Sequence, residues 1–168
     1  YKDIMAVDTN HGVYSSDWTQ GGIALFNAPT MEQRLQMFIA MDPPKHDVQR
    51  RAVSPIVAPM NLASMESTIR ARTAKVLDEL PRNQEFNWVQ RVSIELTTQM
   101  LATLFDFPFE DRKLLTWWSD VATSVPEVDH LVESQEARLA ELGKMLAYFT
   151  RLWNERVNAP PKTDLVSM

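Results

Sequence analysis

Prolines punctuate this chain, and the stretches between them carry apolar residues at helix spacing. That combination most constrains the fold. A proline inside a helix removes one backbone hydrogen bond and clashes with the preceding turn, so helices end or kink there. From Pro44 onward the segments between prolines repeat their apolar residues every three or four positions, the period of an α-helix. Residues 46–57 form the first such segment, which Pro55 should kink or end near Ser54. The second runs from Leu62 to Leu80, with Leu62, Met65, Ile69, Val76 and Leu80 on its stripe, and Pro81 closes it. A third spans about 88–105. Between Val92 and Phe105 its only charge is Glu95, which predicts a central position. A fourth covers 109–123, and a fifth 133–157, whose predicted buried stripe is Leu142, Leu146, Phe149, Trp153 and Val157. Trp117 and Trp118 are neighbours about 100° apart on a helix, so both cannot face inward. Before Pro44 the pattern is mixed. "YKDIMAVD" is helical in pattern, Val13 and Tyr14 read as a short extended piece, and Gly21-Gly22 reads as a turn. The expected class is therefore mostly α, with one small β or irregular corner near the start.

Composition removes several functions. At 168 residues, 45% hydrophobic and 23% charged, the chain is long enough for one sizeable core. A net charge of −5 argues against a nucleic-acid surface. No apolar run approaches the roughly 20 residues of a membrane span, and no signal-peptide pattern is present, so a cytoplasmic location is expected. Cysteine is absent, which excludes disulfides, thiolate ligands and a cysteine nucleophile within these residues. His11 and His130 lack a second ligand at metal spacing. Ser15 and Ser16 read as loop polarity or capping. At the end of the chain, Thr163 and Asp164 are N-cap residues ahead of an apolar run that stops at Met168, as expected of a segment of something longer.

One motif asks for a partner. In "MDPPKHDVQRR" (41–51), His46 and Arg50 stand one turn apart. His46, Arg50, Val53 and Val57 fall within roughly 60° on a helix, on a stripe that should face the core. A buried arginine keeps its charge and needs an anion. The anion could be a carboxylate of this chain or a carboxylate on a ligand; alternatively, both cations could reach water at the helix start. His-x-x-x-Arg is common by chance, so spacing alone favours an internal partner or solvation over a ligand.

The surrounding text changes that ranking. "FIAMDPPKHDVQRRAVSPIVAP" (38–59) resembles the stretch leading into helix C of the cytochrome P450 family, haem-thiolate monooxygenases. The family pattern Asp-x-Pro-x-His-x-x-x-Arg is matched by Asp42, Pro44, His46 and Arg50. "KDIMAVDTNH", "VSPIVAPMNL", "VSIELTTQMLATLFDFP" and "LAYFTRLWNERVNAPP" resemble the bacterial branch that hydroxylates the terminal carbon of alkanes and medium-chain fatty acids. The resemblance implies a single partial P450 domain over 1–168, from helix B to the start of helix H, with minor β near the N-terminus. It implies that His46 and Arg50 bind the propionates of haem b, with the iron-ligating cysteine beyond Met168 and this segment inactive alone. It further implies a pocket wall at Trp18–Asn27, with Ile23 and Leu25 as substrate residues, and helices F and G joined by a lid, "TSVPEVDHLVES" (123–134). Val121 would touch substrate. The implied partners are O2, a hydrophobic aliphatic substrate, and a ferredoxin with its reductase passing electrons from NAD(P)H. Lys45 and Arg51, on the outward side of the first helix, could meet the acidic donor. Two rivals fit the composition: a non-catalytic helical domain binding a hydrophobic small molecule, and a structural bundle. The bundle leaves the cation pair unexplained.

Overall fold

The computed structural model describes residues 1–20, 22, 23, 37–162 and 164–167, and divides into two compact units, Tyr1–Ala58 and Pro59–Met168. The described residues are mostly helical and contain no strand. The short extended piece expected at Val13 and Tyr14 is corrected; residues 21 and 24–36 of that corner lie outside the described residues. Val13 and Tyr14 both donate backbone hydrogen bonds to the Asn10 carbonyl, at 3.0 and 2.9 Å, so the chain turns there instead of extending.

The first unit opens with α1 (Lys2–Asp8) and contains short 3-10 turns at Trp18–Gln20 and Phe38–Ala40. Its main element is α2 (Lys45–Val53), against which the Phe38–Ala40 turn packs. Pro55 acts as its chemistry requires: the α-helix stops at Val53 and the chain continues as a 3-10 turn, Ser54–Val57.

In the second unit the segment 62–80 is not one helix. It divides into α3 (Pro59–Ser64) and α4 (Glu66–Asp78) around Met65. No proline or glycine marks that break. The third segment is central, as its apolar surround predicts: a π-helical turn, Val89–Ile94, leads into α5 (Glu95–Leu104), which packs against both α4 and α6 (Lys113–Thr123). Arg72 of α4 ties the first pair by donating to the Gln99 carbonyl at 2.6 Å and to Thr103 Oγ1. Glu95 ties the second through Arg112 at 2.8 Å.

α5 ends in a Schellman motif. Asp106 sits in the left-handed region (φ 45°) at the position usually given to glycine. Phe107 N–H reaches back to the Ala102 carbonyl at 2.8 Å and Asp106 N–H to Thr103 at 3.2 Å. This turn drives Phe107 into the core beside Ala102, Leu115, Trp118, Leu152 and Val166. Phe107 stacks on Tyr148 with ring centroids 4.7 Å apart, and Trp118 meets Tyr148 edge-on at 5.6 Å. Trp118 is buried, whereas Trp117 is half-buried and donates to Glu141 Oε2 at 3.2 Å, so the pair divides as neighbours on a helix must.

A short helix, α7 (Pro126–Asp129), lies in the joint before the 22-residue α8 (Gln135–Arg156), whose N-cap Ser134 accepts from Ala137 N–H. The buried stripe of α8 differs from the expected one. Leu152 is 2% exposed, with Met145, Tyr148 and Phe149 packed on the same core, while Leu146 and Trp153 are 54% and 51% exposed and Val157 is also exposed. Tyr148 and Arg156 take the inward places because their polar ends find partners: Tyr148 donates to Asp111 Oδ2 at 2.6 Å, and Arg156 donates to the Phe105 carbonyl at 3.1 Å. Past α8, Asp164 Oδ1 accepts from Val166 and Ser167 N–H, both at 2.9 Å, which is the N-cap the sequence signals; Thr163 lies outside the described residues.

Leu152→Ala should destabilise the protein by about 2–5 kcal/mol, while Leu146→Ala should stay within about 0.5 kcal/mol, read from denaturant midpoints. Burial, and then the Asp111 carboxylate, push the Tyr148 hydroxyl up to about 12 from its ordinary 10.0. The fold thus favours the neutral phenol. Its contribution is fully present below pH 10 and is lost as pH rises towards 12. Tyr148→Phe should flatten that alkaline loss in a melting-temperature series across pH.

Candidate functional site

The cation pair sits on α2, and the residue that positions α2 is Asp42. Its carboxylate lies just before the helix and accepts Ser15 Oγ–H at 2.5 Å and Ser16 N–H at 2.9 Å. Its carbonyl accepts the His46 N–H at 3.1 Å. Ser15 Oγ in turn accepts Asp17 N–H at 3.0 Å. One side chain therefore fixes the 15–17 loop to the start of the helix. Beyond that loop, Gly22 has φ +70°, and a Cβ there would meet Trp18 Cα at 3.4 Å, so the turn assigned to the glycine pair is present at Gly22. Two hydrogen bonds from Thr19 hold the Asp17 carboxyl below its ordinary value, with Lys45 adding to the effect.

On α2, His46 is half-buried and its Nδ1 lies 2.8 Å from Asp47 Oδ1. Its ring also leans on Phe38, with centroids 6.0 Å apart. These contacts fix the ring plane, and among the described residues no hydrogen bond engages Nε2; in the imidazolium form Nε2–H is a donor. Arg50 is exposed and, among the described residues, its guanidinium has no carboxylate partner. Arg50 and Arg51 occupy the last turn, where a cation is favoured by the helix dipole.

The expected burial of this stripe is corrected. His46 and Val53 are half-buried, but Arg50 and Val57 are exposed. The desolvation argument for an obligatory internal anion therefore does not hold within this chain. What remains is a pair of donors one turn apart, with the arginine unengaged by any described carboxylate. Ile23 is 53% exposed, Leu25 lies outside the described residues, and Val121 belongs to the other unit, fully buried at the end of α6. Sequence reasoning missed the role of Asp42 as loop anchor. The signal available was an aspartate flanked downstream by prolines, which leave its oxygens free for a distant N–H donor.

No family model matches the chain. It is 25% identical over 175 residues to linalool 8-monooxygenase of Pseudomonas putida, covering 100% of this chain and 43% of that protein. Two solved structures are nearer in sequence. CYP153D17 from Sphingomonas sp. PAMC 26605 is 45% identical, with a TM-score of 0.80 over 99% of this chain and 42% of its own. Cytochrome P450-153 from Novosphingobium aromaticivorans is 44% identical, with a TM-score of 0.85 over 99% of this chain and 41% of its own. The chain belongs to the cytochrome P450 family. It spans about two fifths of the length of the relatives it matches.

A P450 fold implies haem, and the donors of α2 fit one edge of it. Two nitrogen-bearing side chains one turn apart suit two carboxylate tails, and the exposed Arg50, without a carboxylate partner among the described residues, can grip one of them with two parallel bonds. These 168 residues supply no thiolate, so the fit is to the acidic edge of the porphyrin and not to its iron.

Asp42→Ala removes the acceptor for two donors and should loosen the 15–17 loop by about 1–3 kcal/mol of local stability. Hydrogen exchange at the Ser16 and Asp17 amides should speed up, with exchange in α8 unchanged.

Proposed function

We propose that this chain is part of a haem-dependent monooxygenase that hydroxylates unactivated terminal C–H bonds of alkanes or medium-chain fatty acids. The likeness at 44–45% identity across 99% of the chain to two P450s of the 153 group carries the reading, together with the His46 and Arg50 side chains one turn apart on α2. Both units, Tyr1–Ala58 and Pro59–Met168, are parts of one P450 domain in this reading.

When bound, haem b supplies the redox chemistry that places one atom of O2 into the C–H bond. The work of this chain's residues is to hold and orient. His46 Nε2 and the Arg50 guanidinium hold the two propionates, and Asp47 and Phe38 keep the His46 ring in plane. Asp42 fixes the loop that precedes the proposed pocket wall. Ile23 and Leu25 supply apolar surface to an aliphatic chain, which has no hydrogen bonds to satisfy. Val121 meets substrate when the joint over it opens. The iron-ligating cysteine lies outside these residues, and the segment alone is inactive. Electrons come from NAD(P)H through a ferredoxin reductase and a ferredoxin. The exposed Lys45 and Arg51 offer an acidic donor its docking charges. The location is cytoplasmic; no helix among the described residues is long and apolar enough to cross a membrane.

The reduced, CO-treated full-length protein should give the absorbance band that names the family; a spectrum without it removes the reading. In that protein Arg50→Ala should lose a charge-assisted pair of about 1.5–3 kcal/mol, or roughly ten- to a hundred-fold in haem retention, while Arg51→Ala should change it little. Haem transfer to apomyoglobin measures both. Equal losses would count against a one-turn His46–Arg50 clasp.

A further inference from the structure

His46 has two ring nitrogens, and its neighbour on α2 engages one of them. Nδ1 lies 2.8 Å from Asp47 Oδ1. Asp47 is exposed, and an ionised carboxylate has only acceptor atoms. The hydrogen in that contact therefore sits on Nδ1. The consequence falls on Nε2. A neutral imidazole carries a single N–H, so with the hydrogen on Nδ1 the other nitrogen is a bare lone pair. Such a nitrogen accepts hydrogen bonds and has none to give to a carboxylate. Only the imidazolium, with a hydrogen on each nitrogen, serves Asp47 and a second carboxylate together.

The groups around the ring leave this arrangement to Asp47. Phe38, with its ring centroid 6.0 Å from that of His46, steadies the imidazole from one side. Its turn, Phe38–Ala40, and the turn Ser54–Val57 both pack on α2, and neither carries a titratable side chain. Just before the helix, the Asp42 carboxylate accepts from Ser15 and Ser16. In the 15–17 loop, Asp17 accepts from Thr19 and feels the charge of Lys45. On α2 itself the other charged groups are the cations Lys45, Arg50 and Arg51. Among the described residues, Asp47 is the carboxylate that pairs with His46. Arg50, one turn on, keeps its charge at any working pH. The two donors therefore differ: one is permanent, and the other is conditional on a proton.

We infer that Asp47 makes His46 a propionate donor only in its protonated form, so that haem is held together with one proton taken from water. The bound state places an imidazolium between two carboxylates, while Arg50 needs no proton. Asp47 acts on haem through His46 and is thus a positioning residue. The inference rests on the proposed function for the identity of the second carboxylate.

Haem transfer from the full-length holoprotein to apomyoglobin, followed from pH 6 to pH 9, reads that proton. Release from the wild type should quicken about ten-fold over this range as His46 gives up its second hydrogen. Arg50→Ala should release faster at every pH and keep the same rise. Asp47→Asn separates the cause. Its amide can turn NH2 towards Nδ1, which leaves the hydrogen of a neutral ring on Nε2. Its profile should be flat within about two-fold, and its release at pH 9 slower than that of the wild type. A role confined to the helix start, where an acidic residue suits the dipole of α2, would move every pH alike. An Asp47→Asn profile parallel to the wild type, or a flat wild-type profile, overturns the inference. If the wild type is flat and Arg50→Ala still loses haem faster, the propionate clasp stands without its proton. If His46→Ala matches the wild type throughout, His46 holds no propionate, and the reading of the site fails together with the inference.

Discussion

The packing of Tyr148 is the interaction on which the larger unit depends. Its ring stacks on Phe107 and meets Trp118 edge-on, while its hydroxyl reaches Asp111. A phenol can enter a core only if its O–H finds a partner there. Asp111 supplies one, and the rest of α8 follows from that orientation. Leu152 is turned to the inside one turn later, and Arg156 one turn after that, where it closes the end of α5. The Schellman turn at Asp106 supplies the other half by aiming Phe107 at the same point.

In the smaller unit the corresponding part belongs to Asp42. It organises the approach to α2 through backbone and hydroxyl donors. Arg50 stands exposed in this chain. An exposed guanidinium is well hydrated and asks for no anion, so burial no longer argues for a ligand. The case for the propionate clasp is instead geometric and familial: two donors one turn apart, on the stretch where the P450 pattern places them.

The extent of the fold that was legible varied with the kind of signal. Pro55 ended its α-helix where backbone chemistry said it must, and Asp164 capped the turn it was expected to cap. The division at Met65 was invisible, because neither proline nor glycine lies there and the apolar spacing continues across it. Val13 and Tyr14 have strand-forming side chains, yet two hydrogen bonds to Asn10 turn the chain. The stripe of α8 was misassigned because both of its faces carry large apolar residues. Apolar spacing of three or four put Leu146 and Trp153 on the expected stripe, while Tyr148 and Arg156 go inside with their polar ends satisfied.

The sequence alone determined that this chain is helical, where prolines stop it, and which family its motifs resemble. Each of these is local: a ring without an N–H, a period of 3.6, a run of matched letters. Only the tertiary structure decided which face of α8 is buried, that Asp42 anchors a loop, and that Arg138 and Arg156 of α8 cap α6 and α5. Those outcomes depend on partners distant in sequence, such as Asp111 for Tyr148 and Val121 for Arg138. A polar side chain is buried or solvated according to whether such a partner arrives.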